Sequence, residues 1–423
     1  MSDLFHFLNG LKGKRILGIN PPVFDFAYFD LWAKPIGLLY LLQWMRDLGN
    51  EVQFLDCIYE ARDKAKSFGR YQPRRTLIEK PEAYWGIPRR YYHFGLEEEE
   101  FLSRLLAMEE PDLVLITSIM TYWYGGVHWA ISRVRKIFPD VPVVLGGIYA
   151  RLCPGHAISS GADMIQTEYL PVQAPYPAMD LYENGEYGIL ETSWGCPMGC
   201  DYCASKILCP SFSQRSIEEV ALEMDFQLKV PSIRDMAFYD DALLMNREFH
   251  FYRICDLIQE RYSHIRFHTP NGLHVSQIDR KCAKYLFNTG LRTIRLSLES
   301  VDRTVQGQSS MKVSRLQFER ALENLVSAGY GQEDLETYVL IGLPEQDIDG
   351  VRKTIRFVKS LGGTVKTAQF SPIPGTSSYR KALENVPALK EEPLLHNNSV
   401  YCSYISGELE PAELQELKDL ARA

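Results

Sequence analysis

The run Ile189–Cys203, ILETSWGCPMGCDYC, decides how this chain is read. It opens as a short apolar strand and turns within a few residues into a glycine-punctuated loop. That loop packs Cys196, Cys200 and Cys203 into eight residues, with spacers of three and two. Thiolates placed so closely suit soft metals. Two donor sets are open: zinc completed by a further ligand, or three irons of a four-iron cluster whose fourth iron stays available. A loop that follows a strand directly also suits the carboxyl edge of a β/α barrel, where such folds keep their sites. The other six cysteines, Cys57, Cys153, Cys209, Cys255, Cys282 and Cys402, are scattered through 423 residues, which argues against a disulfide scaffold.

Downstream of this run, strand-like stretches recur at Asp235–Asp240, Ile265–Thr269, Thr293–Leu298, Glu336–Ile341 and Thr364–Phe370. Helical periodicity fills the gaps at Ile217–Leu228, Arg247–Arg261, Ser276–Asn288, Arg315–Ser327 and Ile348–Leu361. With Gly188–Ser193 this makes six strands, each parallel connection carrying its crossover, and so predicts an open or partial barrel. Upstream, a second alternation of Lys14–Asn20, Glu51–Cys57, Asp112–Ser118, Val141–Gly147 and Ala162–Ile165 with helical segments predicts a separate α/β domain. The expected division is 1–170 for that domain, 171–186 as a linker, 187–378 for the partial barrel and 379–423 as a small helical cap. Between Ile58 and Leu96 the charged, aromatic and proline-rich sequence reads as an ordered excursion with partial helix.

Composition narrows the function classes. The chain is 46% hydrophobic and 24% charged, within the range of folded globular proteins. Its formal net charge of −8 offers no global field for a nucleic-acid backbone. No apolar run is long enough to span a bilayer, and the amino terminus turns charged early, so the cytoplasm is the expected compartment.

With these elements in order, the stretch from about Tyr187 to Gly375 resembles the radical S-adenosylmethionine (SAM) enzymes. The resemblance implies that Cys196, Cys200 and Cys203 hold a [4Fe–4S] cluster whose open iron binds SAM. It places Tyr202 beside the adenine and Asp240 or Asp241, in FYDD, near the SAM amino group, although the common Gly-Gly-Glu form is absent. Ser297 and Glu299, in RLSLES, alternate along a strand and can face one side; the resemblance sends them to the ribose or methionine portion. Gly342, in VLIGLPE, permits a close approach at a strand end, and the resemblance makes this the adenine wall.

The amino-terminal half resembles the cobalamin-binding domain fused to many of these enzymes, through INPP, PIGLL, PDLVLITS, LGG and GAD in that order. This resemblance implies corrin or nucleotide contacts from Pro21, Pro22, Tyr122, Trp123, Gly146 and Gly147. No D-x-H-x-x-G follows Leu55, where the sequence is DCIYEAR, so a base-off cobalamin without a histidine ligand is expected. The combined resemblance implies a cobalamin-dependent radical SAM C-methyltransferase. One SAM yields a 5'-deoxyadenosyl radical that activates a carbon, and methylcobalamin supplies the methyl group. Radical rearrangement, cyclisation or oxidation is the enzyme alternative, and a noncatalytic iron–sulfur or cobalamin sensor the other. Expected partners are a reductant or electron-transfer protein and either a small-molecule or a peptide substrate.

Overall fold

The computed structural model describes residues 3–60, 70–172, 174–182, 185–302, 305–306 and 313–423. Part of the 58–96 excursion, residues 61–69, and parts of the expected linker therefore lie outside the described residues. The chain divides into two units, Met1–Glu183 with Ala388–Asn397, and Asn184–Pro387 with Asn398–Ala423.

Unit 1 is built on five parallel strands: β1 (Arg15–Asn20), β2 (Glu51–Asp56), β3 (Leu113–Ile116), β4 (Val143–Leu145) and β5 (Met164–Ile165). Helices α1 (Ile36–Asp47), α2 (Tyr124–Ile137) and α3 (Gly147–Leu152) provide crossovers or follow strand ends. Strands buried on both faces need apolar residues at every position, and alternate ones feed opposite cores. Leu17, Ile19, Val114 and Ile116 pack with Val127, Ile131 and Val134 of α2. Ile16, Leu113 and Leu115 instead meet Leu38, Leu42 and Met45 of α1. The strand order is β5-β4-β3-β1-β2. The winding direction reverses between β1 and β3, and a crevice opens outside the carboxyl ends of strands at such a reversal.

The excursion corrects an expectation. Among its described residues, Tyr91–Phe94 pairs antiparallel with Arg75–Ile78 on one side and with Val23–Asp25 on the other, and the helix is a short turn at Glu82–Tyr84. Aromatic side chains at Tyr91, Tyr92 and Phe94 favour such a pleated, half-buried ribbon.

The 379–423 segment, expected as one cap, is shared between the units. Ala388–Asn397 packs into unit 1: Tyr84 donates to the Leu394 carbonyl at 2.6 Å, and Asn397 donates to Asp25 at 2.9 Å. His396 and Thr121 Oγ1 lie 3.0 Å apart.

Unit 2 carries six parallel strands in sequential order: β6 (Gly188–Leu190), β7 (Asp235–Phe238), β8 (Arg266–His268), β10 (Leu291–Glu299), β11 (Leu335–Ile341) and β12 (Thr364–Gln369). A short strand, β9 (Leu273–His274), adds to β10. Between them run α4 (Ile217–Gln227), α5 (Phe251–Arg261), α6 (Arg280–Asn288), α7 (Arg315–Ala328) and α8 (Ile348–Ser360). Their starts are written locally. Ser216 with Glu219 and Ser314 with Gln317 form capping boxes, and the Asp347 carboxylate accepts from the first-turn amides of α8. Helix α9 (Pro411–Arg422) closes the unit by packing on α8 and β12. An α/β protein with a doubly wound first domain and a six-stranded partial barrel is thus what the sequence folds into.

Candidate functional site

In unit 2 the thiol loop leaves β6 at Leu190 and bends at Gly195, whose φ of +72° suits glycine. A Cβ there would meet the Ser211 carbonyl at 2.9 Å and Cys209 Sγ at 3.2 Å. Cys209 accordingly folds back on the loop, with its Sγ 3.4 Å from the Ser211 carbonyl. Cys196 and Cys200 are partly buried and Cys203 is exposed. Burial pushes the Cys196 thiol up to about 11, with Asp241, Cys203 and Cys200 adding to the rise. Cys196 therefore feels both of the other sulfurs. Burial also raises Cys203, against the pull of Ser205.

Asp240 and Asp241 divide the work of their strand end. Asp240, 3% exposed, accepts from the Thr192 amide at 3.1 Å, from Thr192 Oγ1 at 2.7 Å and from Ser193 Oγ at 2.6 Å. It pins the approach to the cysteine loop; burial lifts its carboxyl, and those donors counter the lift. Asp241 accepts from Ser205 Oγ at 2.8 Å, and Ser205 Oγ lies 3.2 Å from Cys203 Sγ. One aspartate thus holds the strand and the other reaches toward a thiol.

Three residues that the sequence reading passed over complete this edge. Glu191 is driven well above the carboxylate range by burial, then by Asp240, Asp241 and Glu223. Arg215 forms a buried ion pair with Glu223 and donates to the Glu191 carbonyl at 2.9 Å. Ser205 joins Asp241 to Cys203. Only Glu191 carried a sequence signal, as an acid closing the strand before the motif.

The remaining unit 2 candidates spread along the same carboxyl edge. Ser297 stands opposite His274 in the β9–β10 register, and a Cβ at Gly272 would overlap its Oγ. Glu299 follows a register shift, adopts φ +65° and is half-buried; burial alone pushes its carboxyl up to about 7. A side chain held in left-handed backbone at a strand end is a strained arrangement of the kind that clusters at functional positions. Tyr202 sits half-buried between two of the cysteines. The close approach at Gly342, φ +83°, is made by Cys402: a Cβ there would overlap the Cys402 sulfur. Cys402 is itself buried, and burial raises its thiol to about 12. A cleft lined by Phe238, Asp240, Leu243, Thr269, Asn271 and His274 opens beside these residues.

In unit 1, Asn20, Pro21, Val23, Tyr28, Ile58, Ser118, Ile119, Trp123 and Val127 line a cleft at the β1/β3 reversal. Pro21 and Trp123 therefore face it. Trp123 is fixed from behind, donating Nε1 to Asp25 at 2.7 Å. Pro22 instead packs where Gly126 of α2 leaves room, since a Cβ on Gly126 would overlap the Pro22 carbonyl. Tyr122 is buried and meets Trp123 edge-on at 5.8 Å. Gly147, φ +87°, admits the Ser118 backbone into the space of its missing side chain, while Ser118 Oγ donates to the Gly146 carbonyl at 2.8 Å. These glycines lock β4 against the loop after β3.

Comparison with known proteins decides the second unit. Residues 190–358 match the Radical SAM superfamily. This stretch is a radical SAM domain. Its cysteine loop and both aspartates fall inside the matched region. An uncharacterized methyltransferase of Pyrococcus horikoshii, PH0819, is 25% identical over 228 residues, 50% of this chain and 47% of that protein. The chain thus spans about half the length of this curated relative. Among solved structures, the radical S-adenosylmethionine methyltransferase TsrM of Kitasatospora setae, with tryptophan substrate and a SAM analog bound, aligns with a TM-score of 0.65 and 16% identity. That likeness covers 89% of this chain and 77% of TsrM. The cobalamin-dependent S-adenosylmethionine radical enzyme OxsB aligns at 0.55 and 12% identity, over 93% of this chain and 57% of OxsB. The radical SAM domain and the doubly wound unit before it are a fold combination that both proteins share. No helix among the described residues is long and apolar enough to cross a membrane.

Proposed function

We propose that this chain is a cobalamin-dependent radical SAM methyltransferase that methylates an unactivated carbon of a small molecule. One observation carries the reading: a three-thiol loop at the carboxyl edge of one parallel sheet shares a chain with a switch-point cleft on another. Cys196, Cys200 and Cys203 suit a [4Fe–4S] cluster. They feel one another's charge, yet among the described residues no three such side chains close round a single ion. Three cysteines in one loop fit ligands that each take a separate iron. Asp240, Asp241, Tyr202, Ser297, Glu299 and Gly342 are the residues offered to SAM. Pro21 and Trp123 would touch cobalamin, backed by Pro22, Tyr122, Gly146 and Gly147.

When bound, these cofactors supply a carbon-centred radical and a transferable methyl group. The chain's own residues supply placement and protons. Asp241 through Ser205 steadies the Cys203 sulfur, while Asp240 fixes the loop's approach. Glu299, with its carboxyl near 7, exchanges a proton within the working pH range. The unit 1 cleft is walled by Tyr28, Val23, Ile58 and Trp123, which exclude water, and has no histidine among its lining residues. This supports a base-off cobalamin. A one-electron reductant or electron-transfer protein is the partner the chemistry requires, and the cytoplasm is the compartment.

The deciding experiment supplies methyl-labelled SAM to the anaerobically reconstituted, reduced protein with candidate small molecules, aromatic amino acids first. Label in a new carbon–methyl bond is the expected result. Deoxyadenosine without label transfer would replace methylation with a radical rearrangement or oxidation.

A further inference from the structure

Unit 1 holds a cluster of titratable side chains that line neither cleft. Tyr149 of α3 is fully buried, and its hydroxyl oxygen lies 2.6 Å from His156 Nδ1 and 3.0 Å from His128 Nε2. His128 and Tyr124 stand one turn apart on α2, and His156 belongs to the short turn Pro154–Ala157. Burial holds the His128 ring down at about 4 and lowers His156 as well, so both rings are uncharged near neutrality. One neutral imidazole then receives the phenolic proton while the other donates its N–H to the same oxygen. The chain closes in either direction. Packing alone does not call for it: Tyr149 sits in the apolar core with Val127, Ile131 and Leu145, where Phe would fill the space without a hydroxyl to satisfy. Nor does it hold a metal, since among the described residues no three His, Cys, Asp or Glu side chains are placed to bind an ion.

What the phenol gains is a base at proton-transfer distance. The surroundings supply the rest of what moving that proton needs. The Tyr124 ring stacks on Tyr149 at 5.8 Å and tilts over His156 at 4.4 Å. Its hydroxyl donates to Glu392 at 3.0 Å, and the Glu392 charge acts on His156 in the direction that favours the protonated ring. A proton arriving on His156 therefore meets a carboxylate, and the oxygen that it leaves keeps His128 as a donor. An electron has a way out as well: Trp123 adjoins Tyr124 in the chain, and Trp129 lies on the same helix.

We infer that Tyr149 is a redox site, which passes one electron to an oxidised indole of unit 1 as its phenolic proton crosses to His156 Nδ1. The indole radical cation returns to indole, the phenol becomes a neutral phenoxyl radical and His156 becomes an imidazolium. One electron and one proton have moved, and the total charge is unchanged. Neither cofactor takes part. The site is protective: an oxidising equivalent that strays among the tryptophans is held on a ring sealed from water. The test makes the oxidant by flash photolysis of tris(bipyridyl)ruthenium with persulfate in the full chain, read by transient absorption and by electron paramagnetic resonance. In the wild type an oxidised-indole signal decays into a tyrosyl radical, and heavy-nitrogen labelling of the histidine rings changes the hyperfine pattern of that radical. Tyr149→Phe lowers the tyrosyl yield about fivefold and prolongs the oxidised indole by the same factor. His156→Gln keeps an acceptor for the hydroxyl but no base, and shortens the life of the radical about tenfold. The labelling result needs neither variant to fold. A yield unchanged in Tyr149→Phe, a radical as long-lived in His156→Gln as in the wild type, or a wild-type radical blind to histidine labelling overturns the inference.

Discussion

The two clefts sit at equivalent places, each at the carboxyl edge of a parallel sheet, and they are furnished in opposite ways. In unit 1 the polar groups behind the cleft are matched to one another. Asp25 takes Trp123, Asn397 and the Phe26 amide, while Asn20 donates to Asp56 at 3.0 Å. The surface left facing the space is largely hydrocarbon and aromatic. In unit 2 the edge keeps groups in reserve: a carboxyl near 7 at Glu299 and the unmet imidazole of His274. A wall satisfied in advance holds a large cofactor without reacting with it, whereas an edge with unspent donors and acceptors is arranged to handle charge. The same strand-end architecture thus presents a satisfied wall in one unit and unspent polar groups in the other.

The contrast breaks most completely at the thiols. Cys196→Ala, Cys200→Ala or Cys203→Ala should each abolish productive cluster formation and SAM cleavage while cobalamin still binds. Iron and sulfide content with Mössbauer spectra measures the first effect, and a normal four-iron site in all three variants would refute the assignment. Gly126→Val attacks the other cleft by driving a side chain into the Pro22 carbonyl. Overpacking of this kind costs about 3 kcal/mol. Cobalamin affinity and the unfolding midpoint should both fall, with iron content unchanged.

Glu299 tests the reserve directly. Its folded carboxyl is raised to about 7 by burial, so the native state holds its proton more tightly than the unfolded chain does. Stability from this group is present below the ordinary carboxylate range and is lost as pH rises through 7, by at most about 3 kcal/mol. Glu299→Gln should flatten that slope in denaturant titrations at pH 4.5 to 8; an unchanged slope would place the proton elsewhere. Ser205→Ala is the mildest change, removing the hydrogen bond worth about 1 kcal/mol that the Ser205 hydroxyl donates to Asp241. The cluster should still assemble with its midpoint potential little changed, because the Ser205 hydroxyl proton goes to Asp241 and the Ser205 amide, 3.5 Å from Cys203 Sγ, stays in place.

What could be read before folding follows from which interactions are local. The eleven expected strands of the two sheets appear within a few residues of their expected ends: the buried ones, such as Leu113–Ile116 and Val143–Leu145, are written as continuous apolar runs, and Leu291–Glu299 as an alternation. The cysteine loop was legible for the same reason, being compact in sequence. The ribbon at Arg75–Ile78 and Tyr91–Phe94 was not, since its partner strand Val23–Asp25 lies across a long stretch of chain and short aromatic runs fit helix or strand alike. His274 escaped notice because its meaning lies in a missing partner, which only the packed structure reveals. Gly342 was read as permitting a close approach, and Cys402 from the far end of the unit makes one on its Cβ side.

The return of Ala388–Asn397 to the first unit also sets a timetable. Asp25 and Asn397 are separated by 372 positions, so a ribosome adding roughly 5–20 residues per second exposes the first about 20–70 s before it makes the second. Through that interval the nascent amino-terminal sheet holds a buried carboxylate lacking one donor and a Tyr84 hydroxyl without its carbonyl. Completion of unit 1 therefore waits for a segment made hundreds of residues after its sheet.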